Sequence, residues 1–345
     1  MHTQTTVSPP SVAITAMKNA RLPPELILHI IDCLVPSHAH AILPPRHIVT
    51  KTLLTLTSVC RTTYRQASRL LRQYCVYIDD SQRLATYLHC IPRLVPTLSS
   101  ALSLRHITTL YLAPFTASSL DDLPTAEWVR ELFCETCNTL RRLIIHMPFA
   151  SLHPLDDHLD VRKTLRRGFE QLNKLEEFTC LAEYPSLSVP DAHADVWRLW
   201  PDLRYLALFG ASLDNHLLWW DIATLSKLEQ LVLARPQHWD AVNIKDEYFR
   251  KLPKGDVRLG RKTRILLMDA AYRIGVVDTT GWKEIDPNGR LAVEILDVPR
   301  PFYGDETEDE LVTDWVKRGA VDGSLWEWRG DQVGGDDGAH GEIVG

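Results

Sequence analysis

The sequence has no apolar run long enough to cross a bilayer, and its first twenty residues lack the basic and then apolar pattern of a secretion signal. Its seven cysteines are odd in number and scattered, unlike the cysteine set of a disulfide framework. Free thiols of this kind are typical of a reducing compartment. The sequence therefore predicts a cytoplasmic or nuclear protein that does not span a membrane.

Motifs of the common catalytic families are also missing, since the chain has no GxSxG, HExxH or GxGxxG pattern. Residues 255–263 resemble a phosphate loop but have one residue too many before the lysine, and no apolar strand precedes them. Cys134 and Cys137 have the spacing of half a zinc site, but no second cysteine pair completes it. We predict no cofactor and no metal.

A cluster of polar residues between 153 and 160 is the remaining candidate for chemistry. Asp156, Asp157 and Asp160 stand beside His153 and His158, and such a group could exchange protons with a substrate. A polar surface loop explains the same residues more simply, because no nucleophile accompanies them. We predict no catalytic residue and no enzyme activity.

The bulk composition is that of an ordinary globular protein, with 45% hydrophobic and 24% charged residues. A chain of 345 residues can form one large domain or a small domain followed by a larger one. The net charge of −6 is unevenly spread, because the first 100 residues are basic on balance and residues 301–345 are strongly acidic. This asymmetry argues against nucleic acid as a partner.

Three short helices are predicted near the N-terminus. Two prolines and Glu25 mark the start of the first helix, and Leu26, Ile27, Ile30, Ile31 and Leu34 follow at helical spacing. Residues 53–59 and 64–71 carry the apolar positions of two further helices. Helices this short expose more apolar surface than they can bury among themselves, which indicates a partner.

These segments resemble the F-box, in the form common in ascomycete fungi. The residues that carry the resemblance are Leu22, Pro23, Glu25, Leu26, Ile30 and Leu34, then Leu53, Leu56, Val59, Cys60 and Arg61. The chain departs from the family in the longer loop at residues 35–49 and in the absence of a tryptophan after Arg61, where Tyr64 stands nearby. The resemblance covers residues 21–75.

A strand motif of the form LxxLxL recurs after residue 100. The copies are residues 107–112, 140–145, 175–180, 203–208 and 228–233, and their starts are 33, 35, 28 and 25 residues apart. Helix-like stretches at 159–172 and 214–225 lie between copies, and residues 264–268 and 291–296 are predicted as two further strands. This alternation predicts a parallel sheet with crossover helices.

The repeated segments resemble leucine-rich repeats, so the predicted fold is α/β, with an irregular leucine-rich-repeat-like solenoid after the F-box. A doubly wound α/β domain would show the same alternation and stays an alternative. In a solenoid, six outward strand residues would be open to a ligand: Thr109, Tyr111, Tyr205, Ala207, Gln230 and Val232.

The C-terminal region is predicted to close the solenoid. A helix is expected at residues 308–318, and Trp315, Trp326 and Trp328 are expected to cover the apolar layer at its open end. The repeat-like domain with this cap is placed at residues 76–329. Residues 1–20 and 330–345 are expected to be disordered.

The F-box resemblance implies a substrate receptor of a cullin–RING ubiquitin ligase. Its F-box would bind a Skp-type adaptor, which is acidic in this family, and thereby cullin, while the repeat domain holds a protein substrate. The residues implied at the adaptor interface or directly beneath it are Leu22, Pro23, Leu26, Ile30, Leu34, Leu53, Leu56 and Val59. Two alternatives are an F-box scaffold acting outside a ligase and an α/β enzyme with a helical N-terminal subdomain.

Overall fold

The computed structural model of the chain describes residues 22–36, 41–89, 107–116, 118–189, 195–240, 242–250, 252–270, 277–300 and 305–334. The predicted disordered N-terminus lies outside these residues, as does the predicted C-terminal tail from residue 335 onward. The described residues form a nine-stranded, mostly parallel sheet and ten α-helices. The predicted α/β class is therefore confirmed.

The three predicted N-terminal helices are present. They are α1 (Pro24–Asp32), α2 (Ile48–Leu56) and α3 (Arg61–Tyr74). Proline opens α1, and the His47 side chain accepts a hydrogen bond from the Val49 amide at the start of α2. Ile31, Leu53 and Leu70 meet in a small core between the helices, separate from the cores of the sheet.

The strands follow one another in space in the order in which they occur in the chain. They are β1 (Tyr77–Ile78), β2 (Thr109–Leu112), β3 (Arg142–His146), β4 (Glu177–Leu181), β5 (Tyr205–Phe209), β6 (Gln230–Ala234), β7 (Thr263–Asp269), β8 (Leu291–Asp297) and β9 (Asp331–Gln332). The first eight are parallel, and β9 pairs antiparallel with the edge of β8. β9 lies within residues 330–345, the segment predicted as the tail.

A doubly wound sheet reverses its strand order at a switch point, and this sheet has no such reversal among its described strands. Each predicted copy of the strand motif contains one strand, and the two later predicted strands are β7 and β8. The alternation of apolar residues was thus sufficient to locate β2 to β8, whereas the short strands β1 and β9 were not predicted and the spatial order of the strands comes from the structure.

One face of the sheet is covered by a layer of helices. These are α4 (Ser81–Leu88), α5 (Leu123–Thr136), α6 (Val161–Phe169), α7 (His216–Thr224), α8 (Ile244–Arg250) and α9 (Trp282–Ile285). The motif leucines, for example Leu203, Leu206 and Leu208, are buried in the core beneath this layer. Between β4 and β5 the buried Trp197 and Trp200 join the same core, next to a single 3-10 turn (Val196–Leu199).

The opposite face, called here the second face, is also apolar. One register row on it runs through Tyr111, Ile144, Thr179, Ala207, Val232 and Leu266 on successive strands, and all of these except Thr179 are apolar. The final helix, α10 (Glu308–Asp322), lies across this row and contacts β4, β6 and β7. Val312, Val316 and Ala320 of α10 belong to the same buried cluster.

Most of the second face is therefore covered, which corrects the prediction for the outward strand residues, although Tyr111 still lines a cavity at the carboxyl end of β2 and Thr109 and Tyr205 line a small one at the other end of the strands. Thr109, Tyr111, Ala207, Gln230 and Val232 are buried, and Tyr205 is half-buried with its ring 5.3 Å from that of Trp326. Alternation placed all six residues on one face correctly. The prediction missed that a distant helix covers them.

The tryptophans do not cap the open end of the sheet, as was predicted, but help to cover its second face. Arg264 on β7 donates hydrogen bonds to the carbonyl oxygens of Trp326 (3.0 Å) and Trp328 (2.5 Å). Arg142 on β3 donates to the Ala320 carbonyl in the last turn of α10, and its Nε lies 2.5 Å from Glu177. Two arginines of the sheet thus satisfy carbonyl groups at the end of α10 and beyond it.

The long loop between α1 and α2 joins the N-terminal helices to the sheet domain. Ile42 in this loop is fully buried on the second face, and its amide donates a 2.7 Å hydrogen bond to the Val321 carbonyl of α10. The next amide, of Leu43, donates to the Tyr74 carbonyl at the end of α3. The longer loop at residues 35–49, in which the chain departs from the F-box pattern, therefore contributes a contact that joins the N-terminal helices to the sheet domain.

We expect Gly319→Ala to lower the free energy of unfolding by about 1–3 kcal/mol, because a Cβ at residue 319 would lie 2.3 Å from the Trp328 ring. Gly260→Ala is the matched control, since a Cβ there has no neighbour within 4 Å. Urea unfolding of both variants checks this. Equal stability of the two variants would contradict the close packing of Trp328 on α10.

Candidate functional site

Exposed apolar side chains are concentrated in the N-terminal helices. Of the eleven large apolar residues that are exposed in the described parts of the chain, six lie between residues 22 and 59: Leu22, Leu26, Ile30, Ile48, Leu54 and Val59. Leu22, Leu26 and Ile30 are spaced four residues apart, so they form one stripe along α1 and the residues just before it. Contiguous apolar surface of this kind is unusual unless it meets a partner.

The structure divides the eight residues predicted for the adaptor interface into two groups. Leu22, Leu26, Ile30 and Val59 are 49–63% exposed, and Pro23 is exposed as well. Leu53 is fully buried, whereas Leu34 and Leu56 are half-buried against the small helical core. The first group can contact a partner directly, and the second can only support the helices that do so.

Arginines follow one side of α3. Arg61, Arg65 and Arg69 are exposed, and Arg69 also forms a 3.2 Å ion pair with Asp32 of α1. Both side chains of this pair are exposed, so the pair contributes little to the stability of the fold. A row of exposed guanidinium groups beside an apolar stripe favours a partner surface that is both apolar and acidic.

A second candidate site lies at the carboxyl ends of the parallel strands. A cavity of about 810 Å³ opens there, and its walls come from the residues that follow β3 to β7. Ala182, Arg235 and His238 line it with positive φ angles of 65°, 51° and 56°. Non-glycine residues in this conformation cost roughly 1–3 kcal/mol each and tend to cluster at ligand sites.

Arg162 holds one wall of this cavity in place. Its buried guanidinium donates hydrogen bonds to the carbonyl oxygens of Leu152 (2.7 Å) and Ser186 (2.5 Å), and to the Ser186 hydroxyl at 3.1 Å. Burial lowers the pKa of Arg162, with the Asp157 carboxylate opposing this effect. Because its donors are directed at loop carbonyls, Arg162 fixes the shape of the wall.

Arg235 joins the cavity to the start of α10. It forms ion pairs with Asp269 at the end of β7, with Glu308 (2.7 Å) and with Asp309 (2.8 Å). Burial opposes its charge, but the hydrogen bonds to Asp269 and Asp309 outweigh burial and raise the pKa of Arg235. The same cluster anchors α10 to the carboxyl edge of the sheet.

Tyr184 lines the cavity, and a shielded carboxyl group is bonded to it. The Tyr184 hydroxyl donates a 2.6 Å hydrogen bond to Asp195. Burial raises the pKa of Asp195 to about 6, although the bond from Tyr184 and the charge of Arg166 act in the opposite direction. Burial and the Asp195 charge also raise the pKa of Tyr184, so the phenol stays protonated at neutral pH.

The fragments that resembled ligand motifs are not assembled into sites. The described part of residues 255–263 precedes β7, whereas a phosphate loop follows a strand. Cys137 donates its thiol hydrogen to the Cys134 carbonyl at the end of α5. Asp157 accepts hydrogen bonds from the Val161 and Arg162 amides at the start of α6.

Within the described residues, no three or more His, Cys, Asp or Glu side chains are grouped so that they could hold a metal ion. The cavity at the carboxyl edge was not predicted from the sequence. Its walls come from short segments at the ends of five strands, with Arg162 of α6 and Asp309 of α10, and no local pattern connects segments so far apart. The sequence feature that could have located the cavity is the position of the strand ends, which the repeated motif predicts.

Comparison of the chain with models of protein families, with curated proteins and with solved structures finds no match. None of the helices in the described ranges is both long and apolar enough to span a bilayer. The functional assignment therefore depends on the site geometry and on the sequence resemblance.

We expect Asp195→Asn to stabilise the protein at pH 7.5 by about 1–3 kcal/mol, because the buried carboxylate is costly to ionise. The folded-state pKa exceeds the unfolded value of 3.8, so the native state holds an extra proton between about pH 4 and pH 6. Stability should fall as pH rises through that window in the wild type and fall less in the variant.

Thermal unfolding measured from pH 4.5 to pH 7.5 checks this prediction. Asp202→Asn is the control, since that exposed carboxyl pairs with Lys227 and its pKa is lowered by that hydrogen bond. Parallel pH profiles for the wild type and Asp195→Asn would contradict the argument.

Proposed function

We propose that this chain is a substrate receptor of a cullin–RING ubiquitin ligase. In this proposal α1, α2 and α3 form an F-box that binds a Skp-type adaptor, and the sheet domain is an irregular leucine-rich-repeat-like solenoid that holds a substrate protein. The observation that carries the proposal is the exposed apolar stripe of Leu22, Leu26 and Ile30 on residues that match the F-box pattern. An isolated helical subdomain has no physical reason to expose such a stripe.

The order of the strands supports the solenoid assignment. Eight parallel strands follow one another without reversal, and each of the five motif copies supplies one strand. Sequential stacking of strand–helix units with nearest-neighbour contacts is the arrangement of repeat proteins. The repeat-like region differs from a regular solenoid in having its second face covered by α10.

The apolar stripe contributes a measurable part of adaptor binding. Complete burial of one leucine or isoleucine side chain contributes roughly 1.5–3 kcal/mol, and because Leu26 and Ile30 are already about half buried, covering the rest of both contributes roughly 1.5–3 kcal/mol in total. This corresponds to roughly a ten-fold to hundred-fold gain in affinity. Arg61 and Arg65 would add attraction toward an acidic adaptor and speed its association.

The connection between the two parts fits the way such a receptor works. A receptor without catalytic residues accelerates transfer by holding a substrate lysine close to the charged ubiquitin carrier. That effect requires a fixed distance between adaptor and substrate. The buried Ile42, with its amide bonded to Val321, joins the helices to the sheet domain and supplies this rigidity.

We expect the double variant Leu26→Asp and Ile30→Asp to lose adaptor copurification while keeping the wild-type melting temperature. Both side chains are about half exposed, so the charges cost little in the free protein but much in a buried interface. Leu217→Asp combined with Trp220→Asp is the matched control, because these residues are exposed on α7. The control should copurify normally.

Wild-type recovery of the adaptor with Leu26→Asp and Ile30→Asp would refute the F-box assignment. Addition of cullin to the wild-type complex then separates a ligase receptor, which recruits cullin, from a scaffold acting outside a ligase.

We further expect Leu53→Ala to lower the free energy of unfolding by about 2–5 kcal/mol, because this side chain is fully buried between the helices. Leu53→Ala should weaken adaptor binding only to the extent that it unfolds the helices. Val59→Ala, at an exposed position, should weaken the adaptor complex without changing stability. Chemical denaturation and titration with the adaptor measure the two effects separately.

A further inference from the structure

The surface usually available in a solenoid is occupied in this protein. The second face of the sheet lies beneath α10 and the tryptophans that follow it, so a substrate cannot bind there without displacing them. Among the described residues, α10 and the tryptophans do not cover the edge formed by the carboxyl ends of the strands in this way. Two neighbouring cavities open along it, of about 810 Å³ and 620 Å³.

The two cavities are neighbours, because Ala182 and Glu183, which follow β4, line both of them. They are called here the two lobes of one groove. The first lobe is lined by residues at and after the ends of β1 to β4, from Tyr77 to Glu183, and by Lys317 of α10. The second lobe continues along the edge as far as Asp269, at the end of β7.

The dimensions of the groove fit an extended chain. Neighbouring strands are about 4.8 Å apart, so the six steps from β1 to β7 span roughly 29 Å. An extended peptide advances about 3.3 Å per residue, which corresponds to roughly nine residues. Together the lobes exceed the roughly 300–1,000 Å³ typical of a small-molecule site, so a segment of polypeptide is the better match.

The charge of the groove favours a basic segment. Five carboxylates line it, those of Asp79, Asp80, Glu183, Asp269 and Asp309, against three basic side chains, those of Arg162, Arg235 and Lys317. The excess of two negative charges is unchanged when the neighbouring Arg83, Arg300, Glu308 and Asp314 are included. Arg235 pairs with Asp269 and Asp309, and Arg83 with Asp79, so the excess is carried by the remaining groups, among them Asp80 and Glu183.

The two lobes differ in chemistry. Asp79 and Asp80 lie in the first lobe, where Tyr77 and Tyr111 stack with ring centres 4.0 Å apart. Phe149, Phe209 and Pro236 line the second lobe. Lysine and arginine prefer surroundings that combine carboxylates and aromatic rings, whereas the second lobe suits an apolar side chain.

The rim of the second lobe carries a further sign of a binding surface. The loop that supplies His153 and Pro154 continues directly into Leu155, which is 82% exposed. The Leu155 amide donates to His153 Nδ1 at 3.2 Å, so the leucine is held next to the cavity. A peptide in the groove would cover part of this exposed side chain.

We propose that the groove along the carboxyl ends of β1 to β7 binds an extended segment of the substrate, about nine residues long. A lysine or arginine side chain occupies the lobe at Asp79, and an apolar side chain occupies the lobe at Phe149. That the bound peptide belongs to a ubiquitination substrate rests on the proposed ligase function, whereas the peptide site itself rests only on the groove.

Three pools of fluorescein-labelled nonapeptides test this proposal. Leucine or phenylalanine occupies alternate positions in every pool, and the remaining positions are all arginine, all glutamine or all glutamate. Fluorescence anisotropy with the full chain should show the arginine pool binding at least tenfold more tightly than the glutamate pool. Asp79→Asn combined with Glu183→Gln should reduce that ratio severalfold. The second substitution keeps a side-chain oxygen that can still accept the hydrogen bond from the Ala150 amide.

Glu284→Gln combined with Asp331→Asn is the matched control, because it removes two exposed carboxylates on α9 and β9, away from the groove. The control should leave the ratio unchanged. An equal loss in the control, a preference for the glutamate pool, or no binding of any pool would overturn the proposal.

Adaptor binding measured on the same variants keeps the two proposals distinct. Binding of the arginine pool by a chain that ignores the adaptor would support the groove and remove the ligase assignment. Normal adaptor binding without peptide binding would support the F-box assignment and remove the groove proposal.

Discussion

The architecture depends on the burial of a parallel sheet that is apolar on both faces. The crossover helices cover only one face, and the row from Tyr111 to Leu266 on the other would otherwise be in water. Burial of such a row is the largest favourable contribution available to the fold. The chain achieves it with α10, which returns from beyond β8 and lies across the strands. Arg142 and Arg264 then satisfy carbonyl groups of this returning segment, so a second covering layer forms without unpaired backbone groups at these points.

This covering layer determines where the protein can interact with others. It occupies the face that a solenoid would normally offer to a ligand, and it also receives Ile42 from the N-terminal helices. The helices are consequently held against the sheet domain, with the stripe of Leu22, Leu26 and Ile30 directed outward. In the described part of the chain, the apolar stripe and the groove at the strand ends are the two surfaces on which the proposals rest. If both bind as proposed, the arrangement has the separation of sites that a substrate receptor requires.

The sequence was sufficient for the local elements and insufficient for their long-range packing. Apolar periodicity located the strands, because the residues that set it, such as Leu206 and Leu208, are neighbours in the chain. Proline and apolar spacing located α1 for the same reason. The role of α10 could not be predicted, since Val316 joins the buried cluster of Val232 across more than eighty residues of sequence and no local pattern records that packing. Similarly, Leu53 and Leu26 look alike in a helical pattern, although one is core and the other is surface.

Hydrogen exchange of the full chain, with and without a Skp-type adaptor, tests the central claim most directly. Because docking suppresses local opening of the helices it covers, the account predicts slower amide exchange in residues 22–34 and 48–59 when the adaptor is present. Exchange in β6 and β7, at residues 230–234 and 263–269, should stay the same. Unchanged exchange throughout the N-terminal helices, or protection confined to the sheet domain, would contradict the assignment of these helices as the adaptor-binding surface.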